Sequence, residues 1–299
     1  MTPTRPILRY HGGKWKLAPW IISLMPRHRI YVEPFGGGGS VLMRKPRSYA
    51  EVYNDRWDVA VNVFRVLRDE AKAERLKIAL KLTPFSRTEF MAVGDDSESD
   101  DVERARQTIL RSFAGFSSAA TNADFSTGFR ANSHRSGTTP AHDWAHYPEQ
   151  IQAFVDRLAG VCIENRDALD LIPQHDSPQT LYFVDPPYVH STRNMNCGRG
   201  SYAFEMSDAD HRELAQVLKA ARGMVMLCGY DCELYRELYG EWEMVERSAL
   251  ADGARERTEC LWMNEAAAVA STQTLFSAVT GNDEEELLNR FPSYRGTKP

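Results

Sequence analysis

The sequence predicts an α/β fold built on a mixed, mostly parallel sheet. Two observations carry that expectation: strand-turn-helix units follow one another near the N-terminus, and apolar strand patterns return after residue 150. The first unit is the run Ile30 to Val32, which ends in Glu33-Pro34-Phe35 and four glycines, with a helical pattern starting near Ser40. The second is Ala50 to Tyr53, stopped by Asn54-Asp55 and followed by Val59, Val63, Val66 and Leu67 at helical spacing. From about 80 to 150 the pattern breaks into an acidic loop, a helix from about Val102 to Phe113, and the stretch FSSAATNADFSTGFRANSHRSGTTP, which has turns but little core. Periodicity resumes with a helix around Tyr147 to Leu158, a strand Val161 to Glu164, and the apolar strand Leu181 to Val184. Ser207-Asp208-Ala209-Asp210 is a capping box that opens a helix to about Ala221, and Met224 to Leu227 is another buried strand. Further strands are expected at Trp242 to Arg247 and Thr258 to Met263. A discontinuous main domain is thus expected over 1–79 and 151–264, with an insertion at 80–150 and a loosely packed or disordered tail at 265–299.

Composition excludes several classes. With 42% apolar and 26% charged residues, the 299-residue chain matches soluble globular proteins rather than collagenous, disordered or membrane ones. No apolar run reaches 18 residues, and MTPTRPILRYHGGKWK has no signal-peptide core, so a cytoplasmic protein is expected. Cys162, Cys197, Cys228, Cys232 and Cys260 have no repeated paired spacing, so reduced thiols and no metal site are expected. The net charge of −5 at first argues against a polyanionic partner. Its distribution does not: Met1 to Arg47 carries nine Lys or Arg against Glu33 alone, and Arg104 to Pro140 carries five Arg against Asp124 alone. The acids gather in the runs at 95–103 and 282–286, which leaves nucleic acid open as a partner.

Two constellations carry chemistry. Glycines after a strand let backbone approach a ligand at the carboxyl edge of a parallel sheet. Gly36 to Ser40 does not complete G-x-G-x-x-G and no Walker lysine follows, so a ligand without pyrophosphate is preferred. Asp55, ending the second strand about 20 residues later, stands where ribose hydroxyls are bound; capping the next helix is its alternative role. The second constellation is Asp185-Pro186-Pro187-Tyr188 at the exit of an apolar strand. A given Pro-Pro pair arises by chance roughly once in 400 positions, and the flanking Asp and Tyr make this one far rarer. The prolines fix φ and lack N–H groups, so the turn is rigid and its carbonyls are free to accept. Such a turn suits an amine with a delocalised lone pair, such as that of adenine. The Asp185 carboxylate and Pro186 carbonyl would take its two hydrogens, and Tyr188 would offer a ring for the extruded base.

Taken together and in order, His11-Gly12-Gly13-Lys14, Glu33-Pro34-Phe35 with its glycines, Tyr53-Asn54-Asp55, Asp185-Pro186-Pro187-Tyr188 and Cys228-Gly229-Tyr230 resemble the Dam-type (D12 class) DNA adenine-N6 methyltransferases, in the form often found in bacteriophages. The resemblance spans roughly residues 5 to 264. It implies a Rossmann-like S-adenosylmethionine-dependent methyltransferase core with a small, mainly helical or hairpin DNA-recognition insertion. It further implies that Tyr10 and Lys14 contact the cofactor, that Phe35, Gly36, Gly37, Gly38, Gly39 and Ser40 line it, and that Asp55 holds its ribose. Asp167 matches the acid near the cofactor adenine, with a helix cap as its other role; Asp185 borders both cofactor and base, and Arg9 reaches DNA.

The middle segment departs from relatives that read GATC, reading AGFSSAATNADFSTGFRANS instead of their Asn-rich runs. Arg111, Arg130 and Arg135, with Asn122, Asn132 and Ser133, still supply donors and acceptors for phosphates and base edges. The loop HSTRNMNCGRGSY after Tyr188 adds Arg193 and Arg199 and no acid, which suits closure on a bound strand. Double-stranded DNA is the expected partner of a chain acting as a monomer, although a dimer is compatible. Rival readings are another amino acceptor (cytosine N4, RNA or a protein amide), a catalytically silent DNA-binding protein, and a nicotinamide oxidoreductase disfavoured by the incomplete glycine fingerprint.

Overall fold

The structure is a computed structural model describing residues 2–93, 100–116, 128–131, 137–193, 202–250 and 256–280. Among these residues, seven strands form one sheet: β1 (Ile30–Glu33), β2 (Ala50–Asn54), β3 (Val161–Glu164), β4 (Thr180–Val184), β5 (Met224–Gly229), β6 (Glu243–Leu250) and β7 (Glu256–Met263). Their order is β3-β2-β1-β4-β5-β7-β6. The first five pair in parallel, while β7 runs antiparallel to both β5 and β6. The mixed, mostly parallel sheet expected from the sequence is therefore present.

The strands are apolar on both faces because helices cover both faces. Leu181 and Phe183 of β4 join one core cluster, and Tyr182 and Val184 join the other. In β5, Met224 and Met226 alternate in the same way with Val225 and Leu227. The first face is covered by α1 (Ala18–Ser23), α2 (Ser40–Arg44), α3 (Asp58–Arg68), α4 (Glu70–Leu82), α5 (Arg87–Ala92), α6 (Asp101–Ala114), α7 (Pro140–Ala145) and α8 (Ile151–Leu158). The second is covered by α9 (Ala168–Gln174), α10 (Asp208–Ala220) and α11 (Glu233–Tyr239). The capping box read at Ser207 and Asp210 does open α10.

Helix α6, inside the segment read as an insertion, buries Val102, Ala105, Ile109, Leu110 and Phe113 in the same cluster as α3 and α4. Beyond it, Gly115 and Phe129 form an antiparallel bridge, with Phe116 N–H donating to Gly128 O and Arg130 N–H to Ala114 O. The residues between, 117–127, lie outside the described ones.

One expectation is corrected. The tail does not begin as a loose appendage, because α12 (Glu265–Thr280) follows β7 directly and packs on β5 and β7. Ala267 and Ser271 are buried, and Ser271 Oγ donates to Leu24 O at 2.9 Å. Small residues blur the apolar period, yet Ala favours helix and permits close packing. Asn264 caps the helix: its Oδ1 accepts from Ala267 N–H at 3.0 Å and from Val225 N–H at 2.9 Å. Residues 281–299 lie outside the described ones.

The topology fixes where a ligand can sit. β1 and β4 are neighbours, with Ile30 opposite Thr180 and Val32 opposite Tyr182. From β1 the chain moves to β2 on one side, and from β4 to β5 on the other. That reversal opens a crevice beyond the carboxyl ends of β1 and β4, into which both the glycine turn and Asp185 emerge.

Candidate active site

The glycine turn is shaped by close neighbours. Gly36 N–H donates to Asn54 O at 2.7 Å, and Tyr53 Oη donates to Gly37 O at 2.7 Å, tying the turn to the end of β2. A Cβ on Gly36 would overlap the Tyr53 ring. Gly37 has φ +47°, and a Cβ there would lie 2.8 Å from the Tyr10 ring. Left-handed backbone and an aromatic neighbour both demand glycine at this position.

Asp55 closes the turn from the side. Its Oδ2 accepts from Gly37 N–H and its Oδ1 from Trp57 N–H, each at 2.8 Å. Burial raises the Asp55 pKa, and these N–H donors oppose the rise. Asp167 caps a helix and also borders the cavity. Its Oδ1 accepts from Leu169 N–H at 2.9 Å, capping α9, while the residue also lines the cavity and its Oδ2 lies 3.5 Å from Arg56 Nη1.

Asp185 stands at the exit of β4, where burial raises its carboxyl pKa, Lys14 opposes the rise and Glu259 adds to it. Lys14 Nζ lies 2.8 Å from Asp185 Oδ1, donates to Gly12 O at 2.7 Å, and sits 4.8 Å from the centroid of the Tyr188 ring. Burial disfavours the ammonium, but Asp185 and more distant acids outweigh it, so the Lys14 pKa is raised. Tyr188 donates from Oη to Glu259 Oε2 at 2.8 Å and meets the Tyr230 ring edge-on at 4.8 Å. Deeper in, Glu33 accepts at Oε1 from Leu42 N–H at 3.4 Å, and burial pushes its pKa up to about 8.

A cavity of about 240 Å³ joins these parts. Of the residues singled out in the sequence, Tyr10, Lys14, Phe35, Gly36, Gly37, Gly38, Ser40, Asp55, Asp167, Asp185 and Pro187 line it. Three expected members stand back from the wall. Gly39 packs against Phe64, Pro186 is buried behind the turn, and Tyr188 lies between Lys14, Tyr230 and Glu259. Glu33, Arg56, Trp57, Arg166 and Tyr202 also line the cavity, although sequence reasoning gave them no role. Glu33 carried a signal as part of the Glu33-Pro34-Phe35 motif, and Tyr202 as the last residue of the loop read as a closing segment; the others reach the cavity through turn placement. Acids at 33, 55, 167 and 185 border it, the glycine backbone forms one wall, and Tyr10, Phe35 and Trp57 supply rings.

The DNA-contact candidates are dispersed. Arg9 donates its backbone N–H to Ser112 Oγ at 3.3 Å, Arg111 Nη1 donates to Val93 O at 3.3 Å, and Arg130 Nη1 donates to Phe113 O at 3.0 Å. Arg193 pairs with Glu205 and lies 5.4 Å from the centroid of the Tyr202 ring. Asn122, Asn132, Ser133, Arg135 and Arg199 lie outside the described residues. Among the described residues, no cluster of three or more His, Cys, Asp or Glu is arranged to hold a metal ion, and no helix is long and apolar enough to cross a membrane.

No curated protein matches the chain. Among solved structures, the X-ray structure of precorrin 8W decarboxylase from Methanobacterium thermoautotrophicum is similar at 11% identity, covering 83% of this chain and 89% of that one with a TM-score of 0.32. So remote a likeness says nothing about activity. The family model for D12 class N6 adenine-specific DNA methyltransferases matches residues 10–252, most of the chain. With the glycine turn and Asp185 facing one cavity, the chain belongs to the D12 class of N6 adenine-specific DNA methyltransferases, a family of enzymes.

Proposed function

We propose that the protein transfers a methyl group from S-adenosylmethionine to N6 of an adenine flipped out of duplex DNA, at a specific site. The observation that carries this reading is the joint exposure of the glycine turn and the Asp185 carboxylate to one cavity at the β1/β4 reversal. Asp55 would accept from ribose hydroxyls with lone pairs not used by Gly37 and Trp57, and Asp167 would lie near the cofactor's adenine. When bound, the cofactor supplies a methyl group on a positively charged sulfur. The protein's task is to make a poor nucleophile competent. Asp185 and the Pro186 carbonyl accept the two N6 hydrogens, which frees the nitrogen lone pair, and Asp185 takes up the proton that N6 sheds. Tyr188 supplies a stacking surface that offsets the cost of unstacking, a few kcal/mol. The Asp185 carboxylate must be ionised for this work, and Lys14 favours that form.

On the DNA side, residues 80–150 would read the target site, with Arg111, Asn122, Arg130, Asn132 and Arg135 on base edges and phosphates and Arg9, Arg193 and Arg199 nearer the catalytic mouth. A monomer in the cytoplasm is the working form we propose. The test incubates purified protein with methyl-tritiated S-adenosylmethionine and unmethylated bacterial DNA, then digests the DNA to nucleosides. Label in N6-methyldeoxyadenosine supports the reading. Label in N4-methyldeoxycytidine, or label only in a parallel reaction with RNA, redirects it, and duplex binding in a gel-shift assay without any transfer would make the protein a silent DNA-binding relative.

A further inference from the structure

Glu259 has no role in the mechanism above, yet its carboxylate holds the ring on which the target base is proposed to stack. Tyr188 Oη donates to Glu259 Oε2 at 2.8 Å, and Tyr230 Oη donates to Glu259 Oε1 at 3.2 Å. The two rings meet edge to face, 4.8 Å apart at 80°. Arg257 extends the chain by donating from Nη1 to Tyr230 Oη at 3.2 Å, with its guanidinium 5.5 Å from the centroid of that ring.

Strand alternation explains how the group arrives there. Arg257, Glu259 and Leu261 point to one side of β7, and Leu261 belongs to the core. Because Gly229 lies opposite Cys260, Glu259 falls one step beyond the end of β5, beside Tyr230. A carboxylate next to an apolar core needs partners, and both of its oxygens find a phenol. Proline fixes φ at 186 and 187 but leaves the side-chain torsion of Tyr188 free, so the anchor at Oη supplies the missing constraint.

We infer that Glu259 is a positioning residue: it fixes the Tyr188 ring directly and braces it through Tyr230, whose ring meets that of Tyr188 edge to face. This rests on the function proposed above. Glu259, Tyr188 and Tyr230 all stand back from the cavity wall, so Glu259 acts from behind it, through its hydrogen bonds to the two phenols.

The test compares wild type, Glu259→Gln, Glu259→Ala, Tyr188→Phe and the double variant Glu259→Ala/Tyr188→Phe. Each is assayed for methyl transfer to unmethylated plasmid DNA and for S-adenosylhomocysteine binding by calorimetry. Glu259→Ala should lower kcat by about 10- to 100-fold, the scale of a lost charge-assisted hydrogen bond, with product affinity within about twofold of wild type. Glu259→Gln, which keeps one acceptor oxygen, should recover part of the loss. Tyr188→Phe keeps the ring but loses the anchor, so the double variant should be no slower than the slower single one. Losses that multiply in the double variant, or a Glu259→Ala rate within about twofold of wild type, would overturn the inference. If Glu259→Ala does not fold, Glu259→Gln and Tyr188→Phe decide, and unchanged rates in both would overturn it. A wild-type protein that leaves adenine unmethylated overturns the function and this role together, whereas an active wild type with indifferent variants overturns only the role.

Discussion

The ends of β2 and β4 each present a half-buried carboxylate to the same cavity, and they are held in opposite ways. Asp55 is gripped by two backbone N–H groups, from Gly37 and Trp57. Asp185 is gripped by one flexible side chain, Lys14. Backbone donors cannot leave without remaking the turn, so Asp55 is a fixed acceptor suited to a ligand held throughout a reaction. A lysine side chain can swing away, so Asp185 can exchange its ammonium for an incoming amine. Burial raises both pKa values, but only at Asp185 does a neighbouring cation oppose the rise.

The sharpest way to break this contrast is to remove each acid. Asp185→Ala should lower methyl transfer by at least about 10³-fold, with S-adenosylhomocysteine affinity changed by less than about tenfold. Asp55→Ala should do the reverse: the calorimetric Kd for S-adenosylhomocysteine should rise about 10- to 100-fold, while the rate at saturating cofactor falls only a few-fold. Losing the acceptor for Gly37 and Trp57 should also lower the Asp55→Ala Tm by several degrees, on the order of 1–3 kcal/mol. Equal losses of rate and affinity in both variants would erase the distinction.

Proton linkage sharpens it further. Protonated Asp185 cannot accept, so the rate should fall as pH drops through its raised pKa. Lys14→Gln removes the opposing cation and should move that acid limb to higher pH. The acid limb of S-adenosylhomocysteine binding, set by Asp55, should stay in place, because Lys14 is not among the groups that shift Asp55.

A pH effect on stability alone concerns Glu33. Its pKa is raised from 4.5 to about 8, so the folded chain keeps a proton that the unfolded chain releases. The resulting stability is complete below about 4.5 and is lost as pH rises to about 8. Glu33→Gln should flatten that part of the Tm-against-pH profile, and an unchanged slope would remove Glu33 as its source.

The fold was largely legible because β1, β2, β4 and β5 are apolar runs with clear exits. Asp55 and Asp185 were found for the same reason: each ends a strand whose limits local pattern reveals. Helix α12 was missed because Ala267, Ala268 and Ser271 make a packed face from small residues with little apolar contrast. The Lys14–Asp185 pair joins residues far apart in sequence through the β1/β4 neighbourhood, and no local pattern encodes that. Glu259 falls within the strand expected at Thr258 to Met263, where no local pattern marks it. Only the antiparallel register of β7 brings it to Tyr188 and Tyr230.

The most direct test expresses wild type and Asp185→Asn in a host lacking adenine methylation and reads the plasmid by single-molecule sequencing. Wild type should leave N6-methyladenine in a defined sequence context and Asp185→Asn should leave none. Equal marking by both proteins, or modification of cytosine instead, would contradict the role assigned to the turn at the end of β4.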